Sequence, residues 1–337
     1  MNINKTTLQK ALEIVKPGLS NKEIIEQSTS FAFIKGRVVT YNDEISISHP
    51  VEGLEIEGVI KADKLYPFLT KLKKDELELS IEGNEVVIKS GRSKASLALE
   101  SEIKLPLIDG MTSLKWKPLP EEFLKLVSFV LPACSRDMSK PVLTCVHISK
   151  EGVIEASDSF RIARSESGST LPVNEFLLPA TSAINMVKLK PTKIAEGKGW
   201  IHFKTEAGTV ISCRTFEDSF PDTKPYVEVE GVELTFPKTI IEIIDRAQVF
   251  AKQEFVLDES VTITIEKNKF KIKSEAEGGR YEETVNTTYD GDTIEFIISP
   301  YLLRGILTET LDCIASDTKL RFEGSNWVYI TCLKNKN

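Results

Sequence analysis

Two hydrophobic rhythms alternate along the chain. In the first, a short apolar run leads into a segment whose apolar residues recur at three- and four-residue spacing. Examples are "GVIKADKLYPFLTKLK" (58–73), "FLLPATSAINMVKLK" (176–190) and "IEFIISPYLLRGIL" (294–307). The same phrase occurs at 2–16, 114–130 and 232–252. It reads as a strand followed by an amphipathic helix, and predicts helices over 5–16, 61–74, 118–130, 180–193, 237–252 and 299–311. Their starts are about sixty residues apart, the mark of an internal repeat. Pro67 interrupts the second helix, which is expected to kink or to start late there. Between the helices the rhythm drops to two, as in "ELELSIEG", "EVVIKSG" and "SKASLALE", with Gly, Asn and Ser between runs. That pattern predicts antiparallel hairpins with one buried face.

Each repeat is therefore a strand, a helix and three further strands, and the chain is α+β. Two repeats per domain give three similar domains of ordinary size: 1–112, 113–231 and 232–337. The boundaries fall in the Pro-, Gly- and Asp-containing stretches "KLPLIDGMTS" (104–113) and "SFPDTKPYVEVEG" (219–231). After the sixth helix only "TKLRFEG" and "NWVYITCLK" read as strands, so the last unit is expected to be one strand short.

Charge changes the picture through its distribution. The net charge is −7, which alone speaks against a nucleic-acid partner. The six helical segments, however, hold 16 basic and 7 acidic residues and so carry +9, leaving −16 on the remainder. Basic helices on an acidic β-rich body form a segregated field that would attract a polyanion if the helices share a surface. Segments 118–130 and 299–311 do not share the bias. Amphipathic helices also carry lysines merely to solvate an outer face.

Candidate chemistry is sparse. The five cysteines are dispersed without CxxC spacing and read as reduced core thiols; only three histidines occur, so no metal centre is expected. "SGRS" (90–93) and "EGGR" (277–280) precede no Lys-Ser/Thr helix start and read as hairpin turns, so no cofactor is expected. No catalytic constellation emerges, and the expectation is a binding protein rather than an enzyme. No apolar run is long enough to span a bilayer. The start, "MNINKTTLQK", lacks the apolar core of a signal peptide, so a cytoplasmic location without membrane partners is expected. "EASDSFRIARSES" (155–167) sets Phe160 and Ile162 beside Arg161, a composition that suits anchoring a partner's peptide. It equally suits an ordinary strand with its apolar face inward.

The phrases "IKSGRSKASL" (88–97), "KPVLTCVHIS" with "IEASDSFRIAR" (140–164), "FLLPATSAINMVKL" (176–189) and "FEDSFPDTKPYV" (216–227) occur in the order and spacing of a known family. Through them the whole chain resembles the bacterial-type DNA sliding clamp, the β subunit of DNA polymerase III. The resemblance implies a clamp fold in which two three-domain protomers join head to tail into a ring around double-stranded DNA. It implies a processivity factor in DNA replication that meets its polymerase and clamp loader through short peptide motifs. Sequence-independent phosphate contacts would then come from Lys10, Lys16, Lys22, Lys71, Lys73, Lys188 and Lys190, on or just beyond the helices, and from Arg136 and Lys140. The peptide pocket would comprise Leu143, Ser157, Phe160, Arg161, Ile162, Val227 and Leu333. The chain departs from the family in its shorter length, which suggests a phage or mobile-element member. It departs also at Phe160, where the family has His or Tyr, and in its divergent C-terminal end. Two other classes fit the same residues: a clamp-fold decoy or regulator of a host clamp, and a β-rich structural or ligand-binding protein without a DNA role.

Overall fold

The computed structural model describes residues 1–106 and 114–335, so the boundary expected at 112/113 lies outside the described residues. Among them the strand–helix–three-strand unit occurs six times. The leading strands are Asn2–Asn4, Gly58–Lys61, Lys117–Pro118, Phe176–Pro179, Val232–Thr235 and Ile294–Ile298. The helices are Lys5–Val15, Ala62–Lys71, Phe123–Val130, Ala180–Leu189, Ile240–Ala251 and Pro300–Arg304. The sixth unit is complete, which corrects the expectation of a missing strand: Asp312–Ala315, Lys319–Glu323 and Trp327–Cys332 follow its helix. The overlooked strand, "DCIA", continues the apolar spacing of the helix before it. That helix is itself short, ending at Arg304 and followed by a 3₁₀ turn over Ile306–Thr308.

Two further helix readings need correction. Ala62–Lys71 does not start late, because Pro67 sits inside it. Pro67 is on the exposed side, so water can hydrate the carbonyl that loses its donor. The fourth helix ends at Leu189 rather than 193. Lys190 caps it in the left-handed conformation (φ 52°), and Pro191 has no N–H to continue the ladder.

The chain divides into two compact units, Met1–Leu124 with Thr170–Glu217, and Lys125–Ser169 with Asp218–Asn337. In the first, strands Asn2–Asn4, Glu76–Glu82, Glu85–Ser90 and Ser93–Ala98 form a four-stranded sheet in that order. An eight-stranded sheet runs Gly58–Lys61, Ser30–Ile34, Arg37–Tyr41, Ile45–Pro50, Val210–Arg214, Trp200–Lys204, Lys193–Gly197 and Lys117–Pro118. Its register shows which face carries the helices. Thr40 pairs with Ile47, Ile47 with Ile211, and Ile211 with Phe203, so these four share a face. The Thr40 hydroxyl donates to the carbonyl of Val15 in the first helix. Cys213, on the same face as Ile211, lies against Ser182 of helix Ala180–Leu189, and Phe203 meets Phe123 at 6.2 Å. Helices Lys5–Val15 and Ala180–Leu189 thus cover one face of one sheet.

In the second unit, strands Cys145–Ile148, Val153–Ser157, Arg161–Glu166, Trp327–Cys332, Lys319–Glu323, Asp312–Ala315 and Val232–Thr235 adjoin in that order. Ala156, Ala163, Tyr329 and Phe322 are cross-strand partners on one face. The Tyr329 hydroxyl donates to the carbonyl of Leu302 in the sixth helix at 2.6 Å, which marks this as the helix-bearing face. A second sheet, Gly279–Asn286, Lys269–Ala276, Val261–Glu266 and Ile294–Ile298, is covered by helix Ile240–Ala251. The helix buries Ile243, Ile244 and Ala247 and accepts a bond from Ser274 at the Ala247 carbonyl. The hairpin readings of "SGRS" and "EGGR" hold, with Gly91 (φ 61°) and Gly279 (φ 147°) at the turns.

On the face of the eight-stranded sheet away from the helices, His202 is buried with Nδ1 2.7 Å from the Ser212 hydroxyl. Burial pushes its imidazole down to about 4, because desolvation disfavours the charged ring. The unfolded chain takes up this proton near pH 6.5 and the folded chain only near 4. The neutral ring's stabilisation is therefore complete above pH 6.5 and lost as pH falls through 4. We predict that thermal stability declines between pH 6.5 and 4, with at most about 1.4 kcal/mol per pH unit from this site. His202→Asn should flatten that decline in a calorimetric pH series, and parallel profiles would refute the assignment.

Candidate functional site

On the face of the second unit's sheet opposite helix Pro300–Arg304, Ser157 pairs with Ile162 and Ile162 with Ile330, and Lys319 pairs with Cys332 two residues further along that strand. Strand alternation sends these five side chains outward together. With Leu143, from the 3₁₀ turn Pro141–Thr144, they line an open cleft of about 420 Å³. Phe160, 45 % exposed, stands at its mouth. The segment Phe220 to Thr223 and Tyr226 form the opposite wall. The size suits one or two apolar side chains.

That wall is pinned electrostatically. Glu155 is buried and accepts from His147 Nδ1 (2.8 Å), Arg164 Nη1 (3.0 Å) and the Thr223 hydroxyl. Burial alone would push its carboxyl up, but these three partners hold it below the ordinary carboxylate range. Phe220 stacks on His147 with ring centroids 5.1 Å apart. Thr223 and Phe220 are thus fastened to the sheet, and Pro221 and Asp222 between them are carried along.

The turn at the mouth is built by Asp158. Its carboxylate accepts the backbone N–H groups of Phe160 and Arg161 and the Arg161 Nε–H. Ser159 is left at φ 75°, a conformation that costs a non-glycine residue energy. Lys140 donates to the Ser159 hydroxyl at 3.3 Å.

The structure gathers Leu143, Ser157, Phe160, Arg161 and Ile162 around this cleft, although not all in the expected roles. Arg161 points its guanidinium to the helix side, where Nε and Nη2 donate to Asp158, the Pro132 carbonyl and the Tyr301 hydroxyl, and the side chain is buried. Ser157 spends its hydroxyl on the Arg161 carbonyl. Val227 does not line the cleft; Tyr226, one residue earlier, does, because Val227 closes the short helix Lys224–Val227 half-buried. Leu333 is likewise displaced by Cys332 and Ile330, since it lies past the strand end with its N–H on the Thr318 carbonyl. Sequence reasoning missed Ile330, Lys319, Tyr226 and the pinning group His147, Glu155 and Arg164. Only the Glu155/Arg164 alternation across a turn hinted at the last.

The residues expected to meet DNA are all exposed. Lys10 lies within the first helix, Lys71 ends the second and Lys188 falls in the last turn of the fourth, with Lys190 as its cap. A lysine at a helix C-terminus is favoured by the helix dipole. Lys16 follows the first helix and lies 4.6 Å over the Tyr66 ring of the second, whose hydroxyl donates to Glu13. Lys22 and Lys73 occupy connecting segments of the same unit; Arg136 and Lys140 lie in a loop of the other. None of the nine has a carboxylate within ion-pair distance among the described residues. By contrast Lys61, Lys89, Lys104, Lys271, Lys273, Arg214 and Arg246 are each paired.

No protein-family model matches the chain, and no curated protein matches it by sequence. The fold is that of the DNA polymerase III β sliding clamps. The β subunit from Pseudomonas aeruginosa matches with a TM-score of 0.85 at 16 % identity, covering 100 % of each chain. The β chain from Streptococcus pneumoniae TIGR4 matches at 0.85 with 20 % identity over 99 % of each chain. The sliding clamp from Bacillus subtilis matches at 0.83 with 18 % identity, covering 100 % of this chain and 99 % of its own.

Removing the acceptor at the hub tests the wall. Glu155→Ala removes the shared acceptor of His147, Arg164 and Thr223 and should cost roughly 3 kcal/mol of stability. Hydrogen exchange should quicken across 220–226 while strand Val261–Glu266 keeps its protection. Unaltered exchange across 220–226 would remove the pinning role.

Proposed function

We propose that this protein is a DNA polymerase sliding clamp, a non-enzymatic processivity factor that encircles duplex DNA and tethers a polymerase to it. The observation that carries this reading is the end-to-end likeness to β clamps, which leaves almost no residue of either chain unmatched. The unpaired lysines of the first, second and fourth helices supply mobile positive charge for phosphate contacts without base readout. Binding of that kind is salt-sensitive and free to slide, so topology rather than affinity holds the clamp on its template.

In this reading the chain forms three domains, 1–112, 113–231 and 232–337, and two chains close head to tail. Two features support that assembly. Strands Ser93–Ala98 and Gly279–Asn286 both lie at the edges of their four-stranded sheets. Edge strands offer unpaired backbone groups that invite a partner strand. Exposed Arg92, in the turn before the first, and Lys94 on it would face Glu282 and Glu283 on the other; the latter two also hold Lys271 and Arg246. Beside the second edge, Phe250 stacks on Tyr281 and Val249 is 69 % exposed, an apolar patch a partner would cover. The cleft of the second unit would take the short peptide motifs of polymerase and loader, with two apolar anchors worth about 1.5–3 kcal/mol each before ordering costs.

The decisive measurement is retention on DNA after loading. The protein should remain on nicked circular DNA in high salt and run off when the circle is cut; equal loss from both would overturn the reading. Sedimentation should show a dimer at micromolar concentration, and Val249→Asp with Phe250→Asp should yield monomer. A quadruple variant, Lys10, Lys71, Lys188 and Lys190 each to Glu, should lose processive synthesis and flatten the salt dependence of DNA binding. Leu143→Asp or Ile162→Asp should abolish binding of a Gln-x-x-Leu-Phe-type peptide while the dimer persists.

A further inference from the structure

Lys319 stands out within the cleft. It is half-buried on the strand that pairs with Trp327–Cys332, and register places it directly across from Cys332, on the face that carries Ile330 and Ile162. Its ammonium lies 5.3 Å from the centroid of the Tyr226 ring and has no carboxylate within ion-pair distance among the described residues. An ammonium inside the cleft with only an aromatic face as partner remains open to an anion.

The other charges around the cleft do not supply the missing anion. Arg161 and Asp158 neutralise each other on the helix side. Glu155 is engaged by His147, Arg164 and Thr223. Asp222 lines the cleft but is exposed, and its carboxylate accepts the Lys224 backbone N–H. At the mouth Lys140 adds a second positive charge through Ser159.

Resting on the peptide-cleft reading above, we infer that this cleft selects segments with a carboxylate beside their apolar anchors, and that Lys319 is the residue that reads it. The apolar anchors would settle on Ile162, Ile330 and Leu143, while an Asp or Glu side chain, or a terminal carboxylate, meets the ammonium over Tyr226. The contact is partly shielded from water, so it exceeds an open surface pair. It also repels partners carrying a lysine at that place, which gives specificity against wrong segments.

The test uses the full-length protein and synthetic peptides of the Gln-x-x-Leu-Phe type. A single Asp is walked through the positions flanking Leu-Phe, and each peptide is compared with its Asn counterpart by fluorescence anisotropy. At one position at least, the Asp peptide should bind about three- to tenfold tighter at low salt, an advantage that shrinks as ionic strength rises. Lys319→Met should collapse the Asp-to-Asn ratio toward one, and Lys319→Glu should reverse the preference in favour of a Lys peptide. Ratios near one at every position, or a ratio that survives in Lys319→Met, would overturn the inference and leave the cleft standing. If no peptide binds the parent protein at any position, the cleft reading falls and the inference with it.

Discussion

Alternation along the strand Arg161–Glu166 governs both what the second unit buries and what it offers to a partner. Arg161 and Ala163 point toward the helices, where the guanidinium joins Pro132 and Tyr301 and the alanine meets Tyr329. Ile162 and Arg164 point the other way, one onto the cleft floor and the other onto Glu155. A slip of one residue would exchange the two sets, burying an isoleucine where an arginine is bonded and setting a charge on the apolar floor. The ladder to Trp327–Cys332 on one side and to Val153–Ser157 on the other therefore fixes the cleft as firmly as it fixes the core.

Electrostatics divides along comparable lines. Where a cation has a structural task it is paired, as Arg164 is with Glu155 and Arg246 with Glu283. Lys10, Lys16, Lys71, Lys188 and Lys190, on and around the first, second and fourth helices, are left without a carboxylate, whereas Lys5, Lys61 and Lys64 nearby are paired; leaving the former unpaired costs little because water solvates them. Surface charges of that kind contribute almost nothing to folding, so a functional demand explains their segregation better than stability does. Lys319 belongs to neither group, since it is half-buried without an anion.

Much of the fold was legible in the chain because a repeat is a redundant signal: six copies of one phrase compensate for errors in any single copy. The misreadings came where two patterns overlapped. "DCIA" carried the helix's apolar spacing into a strand, and Pro67 suggested a late start although its missing donor falls on the solvent side of the helix. At the candidate site, Leu143, Phe160 and Ile162 were found through local composition and family resemblance. Val227 and Leu333 were each displaced by one residue, to Tyr226 and Cys332, because the direction of a side chain depends on where its element ends.

By itself the sequence determined the repeating unit, the α+β class and the charge segregation, since periodicity and composition are local properties of the chain. Only the tertiary structure decided that Arg161 is buried, with its guanidinium on Asp158, Pro132 and Tyr301. Only it joined His147, Glu155, Arg164 and Thr223 from four separate segments into one hub, or set Lys319 and Tyr226 together, residues 93 positions apart. Such contacts are products of register across strands distant in sequence, and register is set by the cooperative burial of a whole sheet face, not by any stretch read alone.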